Sequence, residues 1–534
     1  MKRVLNENRP TANQRLRRTT LRAAASALTW VSVAVAAPFP EGAGIVDTGQ
    51  DRCFDNTGEI PPPRLREDFF GQDAQYQGRK PAYRDNGNGT VTDLHTHLTW
   101  SKAVESQKLS PEEAEGVAEN MDLGGYRDWR IPDIKELYSL IDFRGYTGFG
   151  PGQGVPANAV PFINTDFFDF KYGDIRQGER YIDAQWLSST MYVSTTMLGD
   201  KTVFGVNFAD GRIKGYGYRR PGMPGVAKRF YVRYVRGPIY GVNQFVDHGN
   251  GTVSDLSSGL MWDKSDSGKG MVWEDALRYA KNHRLAGYDD WRLPNAKELQ
   301  AIVDYSRSPD TTNSPAMDPM FLATSILNEA GQRDFPYYWT STTHLDGPRP
   351  GDRAVYIAFG RAMGQMHGRV LDVHGAGAQR SDPKTGTPQL GRGPQGDAQR
   401  IFNFVRVVRG GHVALQPPGF SPDQDRYPNN TQKLRLTPLP NQQEPTASIP
   451  SPSGPPPEAI AACRNKNPGM TCGFMGYRHE LLTGVCSFPP PGRIPVAADH
   501  GSEQPASGKT HEPGNLPLAC RPLRRGSPGH MPRD

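Results

Sequence analysis

The sequence predicts an α+β protein in which one unit of about 160 residues occurs twice. Shifted by 162 residues, Tyr83–Phe143 lies on Phe245–Tyr305 without a gap, with 26 identities in 61 columns. Each copy holds two stretches of helical periodicity, and the rest is short β-prone runs between turn residues. A period this long is domain duplication, not a solenoid repeat. The expected architecture is therefore two tandem domains, 81–237 and 243–410, each setting about two helices against a mostly antiparallel sheet.

Each copy opens on a hairpin. Asn88-Gly89 and Asn250-Gly251 suit a type I′ turn, whose two central residues both need positive φ. The stretch DNGNGTVTD also has the look of a calcium loop. Its third and fifth positions are Gly87 and Gly89, which offer no side-chain oxygen, so calcium is disfavoured and no cofactor is expected. Leu98 and Trp100 then alternate toward one face, as Leu260 and Trp262 do.

The first helix begins at Ser110-Pro111-Glu112-Glu113, with a capping serine, proline at the first position and glutamate at the third. Its counterpart is Trp273–Ala280. For the second helix, Asp133 and Asn295 are the N-caps and Glu136 and Glu298 close capping boxes. Leu137, Leu140 and Ile141 share a face, as do Leu299, Ile302 and Val303. Lys135 and Lys297 are expected to be exposed. Asp128-Trp129-Arg130 and Asp290-Trp291-Arg292 invite a carboxylate–guanidinium pair beside a sugar-stacking platform, but the tryptophan reads better as the anchor of the helix. Further strands are expected at Trp186–Thr190, Thr202–Phe208 and the Val-Arg stretch Tyr231–Gly237, matched by Trp339–Thr343, Ala354–Phe359 and Ile401–Val408.

The flanks differ from this repeated centre. Residues 1–36 carry seven cations against one carboxylate, an alanine-rich apolar run and the small-x-small pattern Ala34-Val35-Ala36, which together read as a signal peptide. The apolar run is too short for a membrane span, and no other stretch could make one. The net charge of +6 resides in that leader, so a nucleic-acid partner is not expected. Export to the periplasm, the cell surface or the medium follows. Residues 37–80 have few core residues and are expected to be extended, with 411–461 a Pro-rich linker and 523–534 a disordered tail. Within 462–522, Cys463, Cys472, Cys486 and Cys520 are disulfide candidates, while Cys53 has no evident partner.

Three blocks recur in both copies: D-x-G-N-G-T-V-x-D followed by L-x-W, then G-Y-x-D-W-R-x-P-x-x-K-E-L, then V-R-x-V-R. The set resembles the Lcl C-terminal domain family, over about Tyr83–Arg236 and Phe245–Arg409. The resemblance implies a C-type-lectin-like fold, related in outline to formylglycine-generating-enzyme domains, and a surface adhesin that binds sulfated glycosaminoglycans. The cysteine usual in the closing V-R-C-V-R strand is replaced by Tyr234 and Val407, so its disulfide is not expected. The enzyme relative's active-site cysteines are absent too.

No catalytic residue is expected, because no nucleophile, metal cluster or paired acid recurs between the copies. Candidate ligand residues lie in the loop read before each final strand: Arg212, Lys214, Tyr216, Tyr218, Arg219 and Arg220, then Arg361, His374, Arg380 and Lys384. Long loops on a rigid scaffold often carry binding residues, and Arg, Lys and Tyr suit sulfate, carboxylate and sugar faces. The expectation is an exported, non-catalytic binding protein with a glycan or glycosaminoglycan-like partner. The competing expectation is a structural or protein-interaction module of the cell envelope.

Overall fold

The computed structural model describes residues 44–150, 154–219, 225–393 and 395–417, and the backbone of three strands nearer the C-terminus. The signal peptide and most of the Pro-rich linker lie outside the described residues. Copy one runs β1 (Tyr83–Asp85), β2 (Thr90–Asp93), β3 (Thr99–Ser101), α1 (Pro111–Asn120), α2 (Ile134–Ser139), β4 (Gln185–Thr196), β5 (Asp200–Asn207), β6 (Arg212–Gly217) and β7 (Val235–Arg236). Copy two repeats it with β8 (Phe245–Asp247), β9 (Thr252–Asp255), β10 (Leu260–Asp263), α3 (Trp273–Asn282), α4 (Ala296–Ala301), β11 (Tyr337–His344), β12 (Arg353–Ala358), β13 (Gln379–Pro383) and β14 (Val408–Gly410). Small antiparallel sheets thus dominate, with four helices among the described residues. None of these helices is long and apolar enough to cross a membrane.

Local signals explain the element starts. Ser110 and Glu113 form the reciprocal capping box of α1, and Asp133–Glu136 and Asn295–Glu298 do so for α2 and α4. The opening hairpins form as well, but not with a type I′ turn. Positive φ falls on Gly87 (73°) and Gly89 (82°), with Asn88 between them outside that region. Asp85 accepts a hydrogen bond from the Gly87 amide at 2.9 Å and pairs with Lys102 at 2.5 Å. Its second-copy equivalent, Asp247, does the same with Gly249 and Lys264. In both copies the first carboxylate of the loop is thus paired with a lysine.

Both copies belong to one compact unit, Met1–Arg435. Each copy has its own four-stranded sheet, ordered β7-β3-β2-β1 and β8-β9-β10-β14. A third sheet is shared, in the order β11-β12-β13-β6-β5-β4, and Ile213 of β6 pairs antiparallel with Gln379 of β13 at its centre. The two halves of this sheet are thus related by an approximate two-fold axis.

The lysines of the two K-E-L blocks obey the same two-fold relation. Lys135 donates to the Ala301 carbonyl at the end of α4, at 2.7 Å. Lys297 donates to the Ser139 carbonyl at the end of α2, at 2.8 Å. Each satisfies a carbonyl that its neighbour's short helix leaves unpaired. The expectation of exposed lysines is therefore wrong: Lys297 is 3 % exposed and Lys135 only half-buried. Burial depresses both ammonium groups to about 8.

Two further expectations need correction. Trp186 corresponds in space to Tyr338, not Trp339, because Trp186 bridges Tyr231 as Tyr338 bridges Phe404. The reason for the one-residue slip is that an aromatic occupies either position, so sequence matching slides. Residues 44–80 are largely extended but not peripheral. Val46, Phe54, Phe70 and Ala74 are buried, and Gln50 exchanges two hydrogen bonds with Thr343. The carboxylate of Asp73 accepts from Thr48 and Thr342, so the segment straps copy two through polar groups that a hydrophobicity scan does not register. Cys53 sits in this strap as a free, buried thiol pushed up to about 12 by burial.

The other unit, Leu436–Asp534, contains a three-stranded antiparallel sheet of Thr471–Met475, Leu481–Ser487 and Ala519–Pro522. Its register sets Cys486 directly opposite Cys520 and Cys472 opposite Gly484. Cys463 lies outside the described residues.

Two measurements check this packing. Arg292 and Glu298 form a bidentate pair at 2.6 Å that is 5 % and 2 % exposed. Arg292→Ala should cost about 3–5 kcal/mol in chemical denaturation. Arg130→Ala removes the equivalent pair, whose arginine is 39 % exposed, and should cost about 1–2 kcal/mol. Equal losses would contradict the deeper burial of the second copy. For Lys297, the folded value near 8 lies below the unfolded 10.5, so the unfolded chain binds more protons between those limits. Wild-type stability relative to Lys297→Met should therefore rise as pH goes from about 8 to about 10.

Candidate functional site

The shared motifs are spent on structure. Trp129 and Trp291 are buried, as expected for anchors. Their flanking charges do not pair with each other, contrary to the carboxylate–guanidinium idea. Arg130 turns inward to Glu136, and Asp128 reaches Arg236 of β7 at 2.6 Å. In copy two Arg292 meets Glu298 and Asp290 meets Arg409. The first arginine of each V-R-x-V-R block is wholly buried. Arg233 donates to the carbonyls of Ser101, Lys102 and Asp169, and Arg406 to those of Asp263, Lys264 and Leu322. These residues are therefore consumed by the scaffold in both copies alike.

The ten residues expected to face a ligand fare differently. Their loops are largely strands: Arg212–Gly217 is β6, and the copy-two stretch forms Met363–Met366, Arg369–Asp372 and β13. Alternation along β6 sets Arg212, Lys214 and Tyr216 on one face, where β13 brings Arg380 and the preceding turn brings His374. Five residues from two copies, 158 or more positions apart, thus meet at the central β6–β13 seam. They meet in the interior, not on a surface loop, which corrects the expected placement.

At the seam, Asp210 accepts from Lys214 at 2.7 Å and lies 3.4 Å from Arg212, which also reaches Asp346 at 2.5 Å. Asp397 accepts from His374 at 2.9 Å and pairs with Arg380. His344 bridges the Ser381 hydroxyl and the Asp210 carbonyl. Burial holds His344 near 3 and His374 near 4, so both rings are neutral at pH 7. Burial also lowers Lys214 to about 8. The adjoining cations hold Asp210 below the usual carboxylate range against the effect of its burial.

The remaining candidates lie elsewhere. Tyr218 donates to Glu112, and Arg219 is exposed at the end of the strand. Arg220 is outside the described residues. Arg361 pairs with Asp310 and Asp334, while Lys384 donates to the Asp55 carbonyl and lies 3.9 Å from the Trp273 ring centroid. Arg361 and Lys384 are thus internal ties.

One surface opening was missed by the sequence reading. A groove of about 610 Å³ lies between residues 65–70 of the strap and α3 with its following turn. The strap is docked there by Phe69 against Trp273, with ring centroids 6.4 Å apart, and by Asp68 with Arg278 at 3.2 Å. Leu65 and Phe69 give the groove an apolar wall, and Arg66, Lys281, Arg284 and Asp289 give it polar groups. Among the described residues, the side chains of Arg66 and Asp289 make neither a hydrogen bond nor an ion pair, and the Lys281 ammonium lies 6.0 Å from the Phe70 ring and within electrostatic reach of Asp290. The copy-one equivalents of Lys281, Arg284 and Asp289 are Glu119, Asp122 and Arg127, so the charges are inverted. That inversion was the available signal, legible by comparing the copies where they disagree.

A family model described as the Lcl C-terminal domain matches residues 89–236 and 251–372. No curated protein and no solved structure matches the chain.

Substitution separates internal ties from surface groups. Arg380→Ala leaves the half-buried Asp397 carboxylate with His374 as its one partner among the described residues, and should destabilise by about 2–3 kcal/mol. Arg219→Ala should fall within about 0.5 kcal/mol of wild type in the same thermal unfolding assay.

Proposed function

The chain belongs to the Lcl C-terminal domain family, in two tandem copies, and on that footing we propose that it is an exported, non-catalytic binding protein for a carbohydrate. Each copy is read as C-type-lectin-like, and the ligand is assigned to the copy-two groove. The observation that carries this reading is the makeup of that groove. An apolar wall of Leu65 and Phe69 stands beside donors on Arg66 and Lys281 and an acceptor on Asp289, none of which is in an ion pair or side-chain hydrogen bond among the described residues. Sugars present apolar C–H faces edged by hydroxyls that both donate and accept, so a wall with both kinds of partner suits them. The cations favour an acidic or sulfated sugar over a neutral one.

The motif residues support a second reading, a structural module of the cell envelope. All three shared blocks are consumed by internal contacts, as a spacer would require. The two readings part on one measurement.

A glycan panel probed with the full chain should show retention of acidic sugars, unchanged when calcium is chelated. Arg66→Ala with Lys281→Ala should weaken that binding about tenfold or more without moving the unfolding midpoint. Binding that persists in the double variant would remove the groove from consideration. A panel with no retained sugar would leave the envelope module as the function.

A further inference from the structure

We propose that Cys486 and Cys520 are joined by a disulfide that closes the sheet of the second unit, and that Cys472 takes no part in it. The register of the three strands carries this pairing. Cys486 stands directly opposite Cys520, whereas Cys472 stands opposite Gly484, two residues before Cys486. Directly opposed residues share a face of a sheet, and so do residues two apart along a strand. All three cysteines therefore hold positions on one face.

Distance then separates the possible pairs. Directly opposed residues of an antiparallel ladder have Cα atoms about 4.5–5.5 Å apart, inside the span of about 4.4–6.8 Å that a disulfide bridges. Diagonal neighbours such as Cys472 and Cys486 are about 7–8 Å apart, beyond that span. Cys472 and Cys520 lie on the two outer strands, about 9–10 Å apart at the nearest. One pairing of the three fits the sheet.

Proximity along the chain favours a different one. Thirteen residues separate Cys472 from Cys486, and 33 separate Cys486 from Cys520. Loop closure in a chain without structure would favour Cys472–Cys486 about fourfold. The sheet reverses that order, so the pairing reports the fold. The link also answers a physical need. Ala519–Pro522 is a strand of four residues that returns to Leu481–Ser487 across residues 488–518. So short a ladder offsets little of the entropy of closing so long a loop, and a covalent tie removes that entropy from the unfolded chain.

The oxidation rests on the proposed export, because exported chains meet disulfide donors whereas cytosolic thiols are kept reduced. One of the two thiolates attacks the donor's disulfide, giving a mixed disulfide and releasing one donor thiol. The other thiolate then displaces the second donor sulfur. The two protein thiols give up two electrons and two protons, and the donor disulfide becomes two thiols.

Peptide mapping of the full chain without reductant tests the pairing, after free thiols are alkylated in denaturant. Cys472, Cys486 and Cys520 fall on separate tryptic peptides, cut at Arg478, Arg493 and Lys509. Two preparations are compared: the chain made in a bacterial host with its own N-terminal segment, and the same chain reduced and then reoxidised with glutathione. The Cys486 and Cys520 peptides should be joined in both, with Cys53 alkylated as a free thiol. Joining after glutathione alone would support the pairing and overturn the export. Cys472→Ser should leave the link at full yield. Cys486 or Cys520 joined to Cys463 or Cys472, both thiols alkylated after reoxidation, or one zinc ion per chain held with the thiols unoxidised would overturn the proposal.

Discussion

Everything in the first unit depends on how the two copies satisfy each other's backbone. The short helices α2 and α4 end facing one another, and each end is closed by the other copy's lysine, Lys135 on Ala301 and Lys297 on Ser139. A six-residue helix leaves most of its terminal carbonyls unpaired. A single copy would expose those groups, together with the open edge of β6 or β13. Joining the copies pairs that edge through Ile213 and Gln379 and supplies both lysines at once. The exchange explains why two units with their own helices and sheets form one compact body.

The same exchange creates an asymmetry that a plain repeat would not have. The α2 lysine also reaches Gly241 and Asn243 of the connection between copies, whereas the α4 lysine reaches Asp47 of the N-terminal strap. Because the strap lies on copy two, residues 65–70 wall a groove on α3. Copy one carries opposite charges at the corresponding positions. Duplication therefore supplies the scaffold, and divergence at positions the scaffold does not use supplies a candidate surface.

Buried charge is the second theme. The W-R…K-E-L block places an arginine, a glutamate and a lysine in or near the interior, each matched to a specific partner. Buried pairs of this sort contribute little net stability, but removing one partner is costly. They also fix register, since a shifted strand or helix would strand a charge in a place without solvent. At the seam the network is larger, joining Arg212, Lys214 and Arg380 to Asp210, Asp346 and Asp397.

Some of this was readable in the residues alone. The duplication, the capping boxes at Glu113, Glu136 and Glu298, the hairpins and the anchoring tryptophans follow from local rules of spacing and backbone geometry, which the chain carries wherever it folds. Arg212, Lys214, Tyr216, His374 and Arg380 were also picked out by type, but as exposed loop residues. Their burial, the reciprocal lysines, the strap and the groove were decided by tertiary structure alone. Each depends on which distant group arrives as a partner, and a charge's partner sets whether it is solvated or buried. Residue type specifies what a side chain can bond, while only the packed fold brings Ala301 to Lys135 or Asp397 to Arg380.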